Sequence, residues 1–170
     1  MNKKLLCLLA WAALALPATA AELSVKIDIP QLQVAEYHRP YLAMWLERAD
    51  GQVTQLSVWY DLKKKDNGGT KWLKDLRQWW RKGGRDLEMP LDAVTSATRA
   101  PGIHSLSYSV GKAPLTTLAP GNYTLFVEAS REAGGRELVK LPFSWPAKEA
   151  RTVTDKGMEE LGNVSLQLKP

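Results

Sequence analysis

Apolar and polar positions alternate through most of the chain, and the alternation predicts strands. Leu23, Val25, Ile27 and Ile29 alternate with Ser24, Lys26 and Asp28, the period of two that marks a half-buried strand. Tyr41–Arg48 and Val53–Tyr60 flank Ala49-Asp50-Gly51-Gln52, where Asp-Gly supplies the positive φ that a tight hairpin needs. His104, Leu106, Tyr108 and Val110 alternate with Ser105, Ser107 and Ser109. Pro120-Gly121-Asn122 turns the chain into Tyr123, Leu125, Val127 and Ala129, and Gly134-Gly135 turns it into Val139, Leu141, Phe143 and Trp145. Val164, Leu166 and Leu168 give the last strand.

One segment has a different period. Over residues 71–82, Trp72, Leu76 and Trp79, joined by Leu73 and Trp80, recur at helical spacing, with Lys74, Arg77 and Arg81 between them. This predicts an amphipathic helix of about three turns, stopped by Gly83-Gly84. Trp79 and Trp80 are neighbours, about 100° apart on a helix, so one is expected inside and the other nearer solvent. The helix's cations, Lys71, Lys74, Arg77, Arg81 and Lys82, read as a solvated face opposite the apolar stripe, the alternative being a docking face for an acidic redox partner or the anionic membrane surface. Residues 63–69 and 147–157 read as flexible connections. About seven strands with turns at roughly 8–12-residue intervals predict an all-β fold, an antiparallel immunoglobulin-like β-sandwich with one inserted amphipathic helix. Trp45, Trp59 and Trp145 lie in strands and are expected in its core.

The first residues change the compartment. Lys3 and Lys4 precede an apolar run from Leu5 to Leu16, followed by Pro17-Ala18-Thr19-Ala20-Ala21. That order is a secretory signal peptide, residues 1–20, and the run is short of the about 20 apolar residues that span a bilayer. Cleavage after Ala20 leaves residues 21–170 as one domain in the periplasm and removes Cys7, the only cysteine. Disulfides and a cysteine-ligated zinc are thereby excluded. Lys and Arg number 23 against 18 Asp and Glu, interspersed, for a formal net charge of +5, which argues against nucleic acid as a partner.

Candidate chemistry is sparse. There are two histidines: His104 on the apolar face of its strand, and His38 in Tyr37-His38-Arg39-Pro40-Tyr41. No G-x-S-x-G elbow and no phosphate-binding glycine loop is present. The usual cues for an enzyme that makes and breaks bonds unaided are missing, so a stand-alone enzyme is not expected. The most informative run is residues 91–99, nearly all small and bounded by Pro90 and Ala100-Pro101-Gly102. It predicts an exposed loop or irregular extended segment.

Asp92-Ala93-Val94-Thr95-Ser96-Ala97-Thr98 resembles the flavinylation motif D-x-x-[ST]-[SG]-A-[TS] read by ApbE-type flavin transferases. The resemblance implies FMN joined through its phosphate to Thr98, with Asp92, Thr95, Ser96 and Ala97 as recognition residues. The phosphodiester would keep a negative charge, for which Arg99, and then Arg81 or Arg85, are the candidate partners. Trp80, with Trp79, is the candidate for stacking on the flavin ring, and Tyr37, His38 and Tyr41 offer a second aromatic shelf.

A broader resemblance rests on Tyr37-His38-Arg39-Pro40-Tyr41, Asp75-Leu76-Arg77-Gln78-Trp79-Trp80, residues 92–102 and Gly134-Gly135-Arg136-Glu137. These runs are similar to an uncharacterised periplasmic family encoded beside PepSY-type membrane proteins and flavin transferases. It implies electron exchange with a PepSY-type membrane partner. The alternative is a cofactor-free β-sandwich that binds a periplasmic or membrane partner through the Trp79/Trp80 helix.

Overall fold

Each alternating segment folds as a strand because one face can be buried at every second residue. The computed structural model describes residues 21–170, so the expected signal peptide lies outside the described residues. The strands are β1 (Glu22–Ile29), β2 (Tyr41–Arg48), β3 (Val53–Tyr60), β4 (Thr95–Ala97), β5 (Gly102–Ser109), β6 (Gly121–Ser130), β7 (Arg136–Trp145), β8 (Arg151–Lys156) and β9 (Asn163–Lys169). They form a four-stranded sheet, β5-β1-β9-β8, and a five-stranded sheet, β4-β3-β2-β6-β7. Every neighbouring pair is antiparallel except β3 and β4, which run parallel. The fold is the expected sandwich, with β4 and β8 added to the strands that alternation marks.

The shared core is built from the inward faces of both sheets. Leu23, Val25, Ile27 and Ile29 of β1 are fully buried there, and Val25 sits opposite Leu106 of β5 and Leu166 of β9. Trp59 and Trp145 belong to this core, as expected. Trp45 is buried too, but in a second cluster outside the five-stranded sheet.

That second cluster explains β2, where Leu42, Ala43, Met44, Trp45 and Leu46 are buried without a break. Leu42, Met44 and Leu46 enter the shared core, whereas Ala43 and Trp45 face outward. They are roofed by Leu73, Leu76, Trp79 and Val94 from the long connection between β3 and β4. A bulge in β3 adjusts the faces: Met44 opposes Ser57 and Trp45 opposes Gln55, leaving Leu56 extra. Leu56 and Trp59 thus reach the inner core while Val58 and Tyr60 turn to the outer cluster.

The predicted helix over residues 71–82 is corrected here. Lys65–Asp75 forms 3-10 turns, broken by left-handed backbone at Asp66 and Asn67, and only Arg77–Arg81 (α1) is α-helical. The break falls at Leu76, which leaves helical geometry at ψ 71°. Immediately after it, the buried carboxylate of Glu128 on β6 accepts the N–H groups of Gln78 at 3.1 Å and Trp79 at 2.8 Å. A side chain from the sheet therefore starts a new helix in mid-segment. Trp79 is fully buried and its Nε1 donates to Gln55 Oε1 at 2.7 Å, while Trp80 is half-buried. Gly84 is required behind it, because a Cβ there would lie 2.6 Å from the Trp79 ring.

Residues 147–157, read as flexible, contain β8, which pairs with β9 over six residues. All of β8 is exposed except Val153, so an edge strand that buries almost nothing shows no period of two.

Candidate functional site

The small-residue run is anchored at both ends. Residues 91–95 form a turn in which the Thr95 N–H donates to Leu91 O at 2.9 Å and the Leu91 N–H donates to Thr95 Oγ1 at 2.8 Å. Ala93 takes left-handed backbone at φ 61°. Val94 is buried in the outer cluster and its carbonyl accepts the Val58 N–H at 2.9 Å. The expected loop is thus in part a strand: Thr95, Ser96 and Ala97 pair with Val58, Trp59 and Tyr60. A three-residue strand of small side chains carries too little apolar pattern to be seen in sequence. It lies at the edge of its sheet, with one neighbour only.

Beyond β4 the Thr98 N–H donates to Tyr60 O at 3.3 Å, and Thr98 is half-buried. Together Ala97 and Thr98 line an open cleft of about 380 Å³. Its aromatic walls come from Tyr37, His38 and Tyr41. Arg39, Lys63 and Lys64 bring positive charge, and Asp61 and Glu132 bring negative charge. The Tyr41 hydroxyl donates to Gly69 O at 3.2 Å, and its ring lies 6.4 Å from that of Tyr60. Gly69 lies hard against the end of β3, where a Cβ would fall 2.1 Å from Asp61 O. His38 Nε2 lies 3.3 Å from Glu36 and its Nδ1 4.0 Å from Glu132. Burial pushes the Tyr37 and Tyr41 phenols above their ordinary value, so both stay neutral donors at physiological pH.

At the same end of the sandwich, Arg131 and Glu160 form a buried two-pronged ion pair at 2.9 Å, and Gly135 N–H donates to Glu160 Oε1 at 2.7 Å. This clips the β6–β7 turn to the β8–β9 turn. Glu137 supports the same place: its carboxylate accepts N–H groups from Met158, Glu159 and Leu161. Burial raises the Glu137 carboxyl, but these backbone donors outweigh it and hold it below the ordinary 4.5.

The candidate residues separate in the structure. Thr98 and Ala97 meet the Tyr37, His38 and Tyr41 shelf. Asp92 is exposed beside them in sequence, the Thr95 hydroxyl closes the turn, and the Ser96 hydroxyl is buried with no hydrogen-bond partner. Arg99 turns the other way, its guanidinium 4.3 Å from the centroid of the Trp59 ring. His104 packs edge-on against the same ring at 5.8 Å. Trp80 tilts against Trp79 at 6.2 Å and packs on the outer cluster, away from the cleft. Arg85 pairs with Asp86 at 3.6 Å and Arg81 Nε donates to Arg77 O at 3.2 Å. The cations of the cleft are instead Arg39, Lys63 and Lys64, of which the lysine run was the visible signal.

The fold and the cleft define a class of protein: a β-sandwich with a small-molecule-sized cleft at one end and a hydroxyl residue in its wall. The chain belongs to the family described as "Predicted periplasmic protein (DUF2271)", which matches residues 22–163. No curated protein and no solved structure matches it.

Proposed function

We propose that this periplasmic protein carries FMN covalently on Thr98 and exchanges electrons with a membrane partner of the PepSY type. The observation that carries the reading is the position of Thr98, at the end of an edge strand and in the wall of the cleft shared with Tyr37, Tyr41, Arg39, Lys63 and Lys64. About 380 Å³ falls within the roughly 300–1,000 Å³ of small-molecule sites. The residues present fit the group: phenol rings for a planar heterocycle, and three cations for a phosphodiester. Those cations also offset Asp61 and Glu132, which would repel the phosphate.

Attachment would take place in the active site of an ApbE-type transferase. The Thr98 oxygen would form a bond to the phosphorus of a phosphoanhydride-activated FMN as the anhydride bond breaks, and the other phosphate group of the anhydride would leave with the bonding electrons. The hydroxyl proton passes to a base of the transferase, which also supplies the metal. When bound, the flavin supplies the redox chemistry, and the chain sets its exposure and surroundings. Tyr37 and Tyr41 bound the ring, Arg39, Lys63 and Lys64 hold the phosphate, and β4 presents the attachment point at a fixed register.

Coexpression of the full chain with a flavin transferase, followed by intact mass measurement, tests the reading. A gain of roughly 440 Da, FMN less water, is expected on the mature chain and should be absent in Thr98→Ala. An unmodified wild-type chain overturns it.

A further inference from the structure

Five large apolar side chains stand exposed among the described residues: Val34, Leu62, Trp72, Ile103 and Met158. All five fall at one end of the sandwich. Val34 lies between β1 and β2, Leu62 just past β3, Ile103 at the start of β5, and Met158 between β8 and β9. Trp72 stands beside Tyr41 and Glu132, at the start of β2 and just past β6. At the opposite end, the connections 49–52, 110–120 and 146–150 expose none. Single exposed apolar residues are ordinary, but their restriction to the loops of one end is not. The segment that bears Leu62 and Trp72 is also rich in exposed cations, with exposed Glu132 of the β6–β7 turn the acid that faces both from outside it. Residues 61–75 carry exposed Lys63, Lys64, Lys65, Lys71 and Lys74, whereas of Asp61, Asp66 and Asp75 only Asp66 is exposed. Lys64 Nζ lies 5.7 Å from the Trp72 ring centroid.

We propose that this end docks on an anionic lipid surface, with Leu62 and Trp72 entering the interface and Lys63, Lys64 and Lys65 meeting the headgroups. The distribution favours lipid over a protein partner. A protein interface has a contiguous packed apolar core, whereas a bilayer interface accepts apolar tips on separate loops. Tryptophan and lysine suit that boundary, one by its amphipathic ring and the other by an apolar stem under a charged head. The inference rests on exposure and charge; because Lys63 and Lys64 also line the Thr98 cleft, the vesicle assay uses the mature chain produced without a flavin transferase, in which no flavin phosphate engages them. Combined with flavin attachment, it turns the mouth of the Thr98 cleft toward the membrane.

Sedimentation of the mature chain with vesicles of phosphatidylglycerol and phosphatidylcholine, compared with phosphatidylcholine alone, tests it. Binding is expected to the anionic vesicles, weakening with added salt. At about 1 kcal/mol for each lysine near such a surface, replacing Lys63, Lys64 and Lys65 by Gln should weaken it on the order of a hundredfold. Leu62→Ser with Trp72→Ser should weaken it on both sides of the salt titration; both side chains are partly covered, so the assay is run well below the melting temperature of the variant, which is measured alongside. Thr98→Ala should bind vesicles as the wild type does, so that failure of flavin attachment and failure of docking are read separately. Absence of anionic-vesicle binding, equal binding by the lysine variant, or dimerisation through Leu62 and Trp72 in place of vesicle binding overturns the proposal.

Discussion

The two sheets share one core and differ on their outer faces. The four-stranded sheet presents Ser24, Lys26, Ser105 and Ser107 outward, with the Ser24 and Ser107 hydroxyls 3.2 Å apart and Lys169 3.6 Å from Glu22. The five-stranded sheet carries a second apolar cluster, roofed by residues of the β3–β4 connection. The difference shows where this molecule invests its polar interactions. On the bare sheet they are exposed and exchangeable with water; under the roof they are buried and particular. Glu128 is completely buried, starts α1 with its carboxylate, and has Arg136 Nε 3.7 Å away. The candidate site inherits this asymmetry, because β4 is the last piece of the roofed connection and Val94 pins it to the cluster.

The sharpest way to break the contrast is Trp79→Ala. It empties the centre of the roof and orphans the Gln55 amide oxygen, and should cost about 3–5 kcal/mol in urea unfolding. Glu128→Ala comes next: it leaves the Gln78 and Trp79 N–H groups without their acceptor and should cost about 2–3 kcal/mol.

Glu128 also has a signature in pH. Burial raises its carboxyl above the ordinary 4.5, despite the two backbone donors and Arg136. The folded state therefore binds this proton more tightly than the unfolded chain. The contribution of Glu128 to stability is full below 4.5 and declines as pH rises through its raised value. Glu128→Gln, the neutral isostere of the protonated acid, should melt close to wild type at the acid side of that window and gain on wild type as pH rises through it. Glu137 has the opposite sign: its lowered carboxyl gives stability that is present above 4.5 and lost on acidification, and Glu137→Gln should flatten the acid limb of the same curve.

The smallest effects sharpen the comparison from the other side. Ser24→Ala on the bare sheet should stay within about 0.5 kcal/mol. Thr98→Ala should be as mild in unfolding, since its backbone N–H, not its side chain, makes the hydrogen bond to Tyr60. Loss of a flavin adduct with no loss of stability would then separate the hydroxyl's role from the fold.

Alternation revealed β1, β5, β6, β7 and β9, which bury one face at every second residue for most of their length, and the Asp50-Gly51 turn revealed β2 and β3. The unbroken apolar run from Leu42 to Leu46 also carried a sign of the roof, since only a strand covered on both sides reads that way. β4 was hidden because three small residues have no period, and β8 because it buries little beyond Val153. The split of the expected helix depends on Glu128, distant in sequence, which no local window contains. At the site, the small-residue motif pointed to Thr98 and the ring-rich run to Tyr37, His38 and Tyr41, and both line the cleft. Arg99 and Trp80 were chosen for nearness along the chain or helical spacing, and backbone direction sends them to Trp59 and to the roof.

The extra residue at Leu56 reaches further than its own strand. It sets the phase of everything downstream in β3, and β4 reads that phase through the pairing of Tyr60 with Ala97. Closing the bulge, so that Leu56 in place of Ser57 opposed Met44, would swap Trp59 and Tyr60 between the two layers and turn the parallel strand over with them. The aim of the Thr98 oxygen is thus decided by a single spacer residue that never touches the cleft, which makes the bulge a tuning point for any attempt to re-aim this side chain.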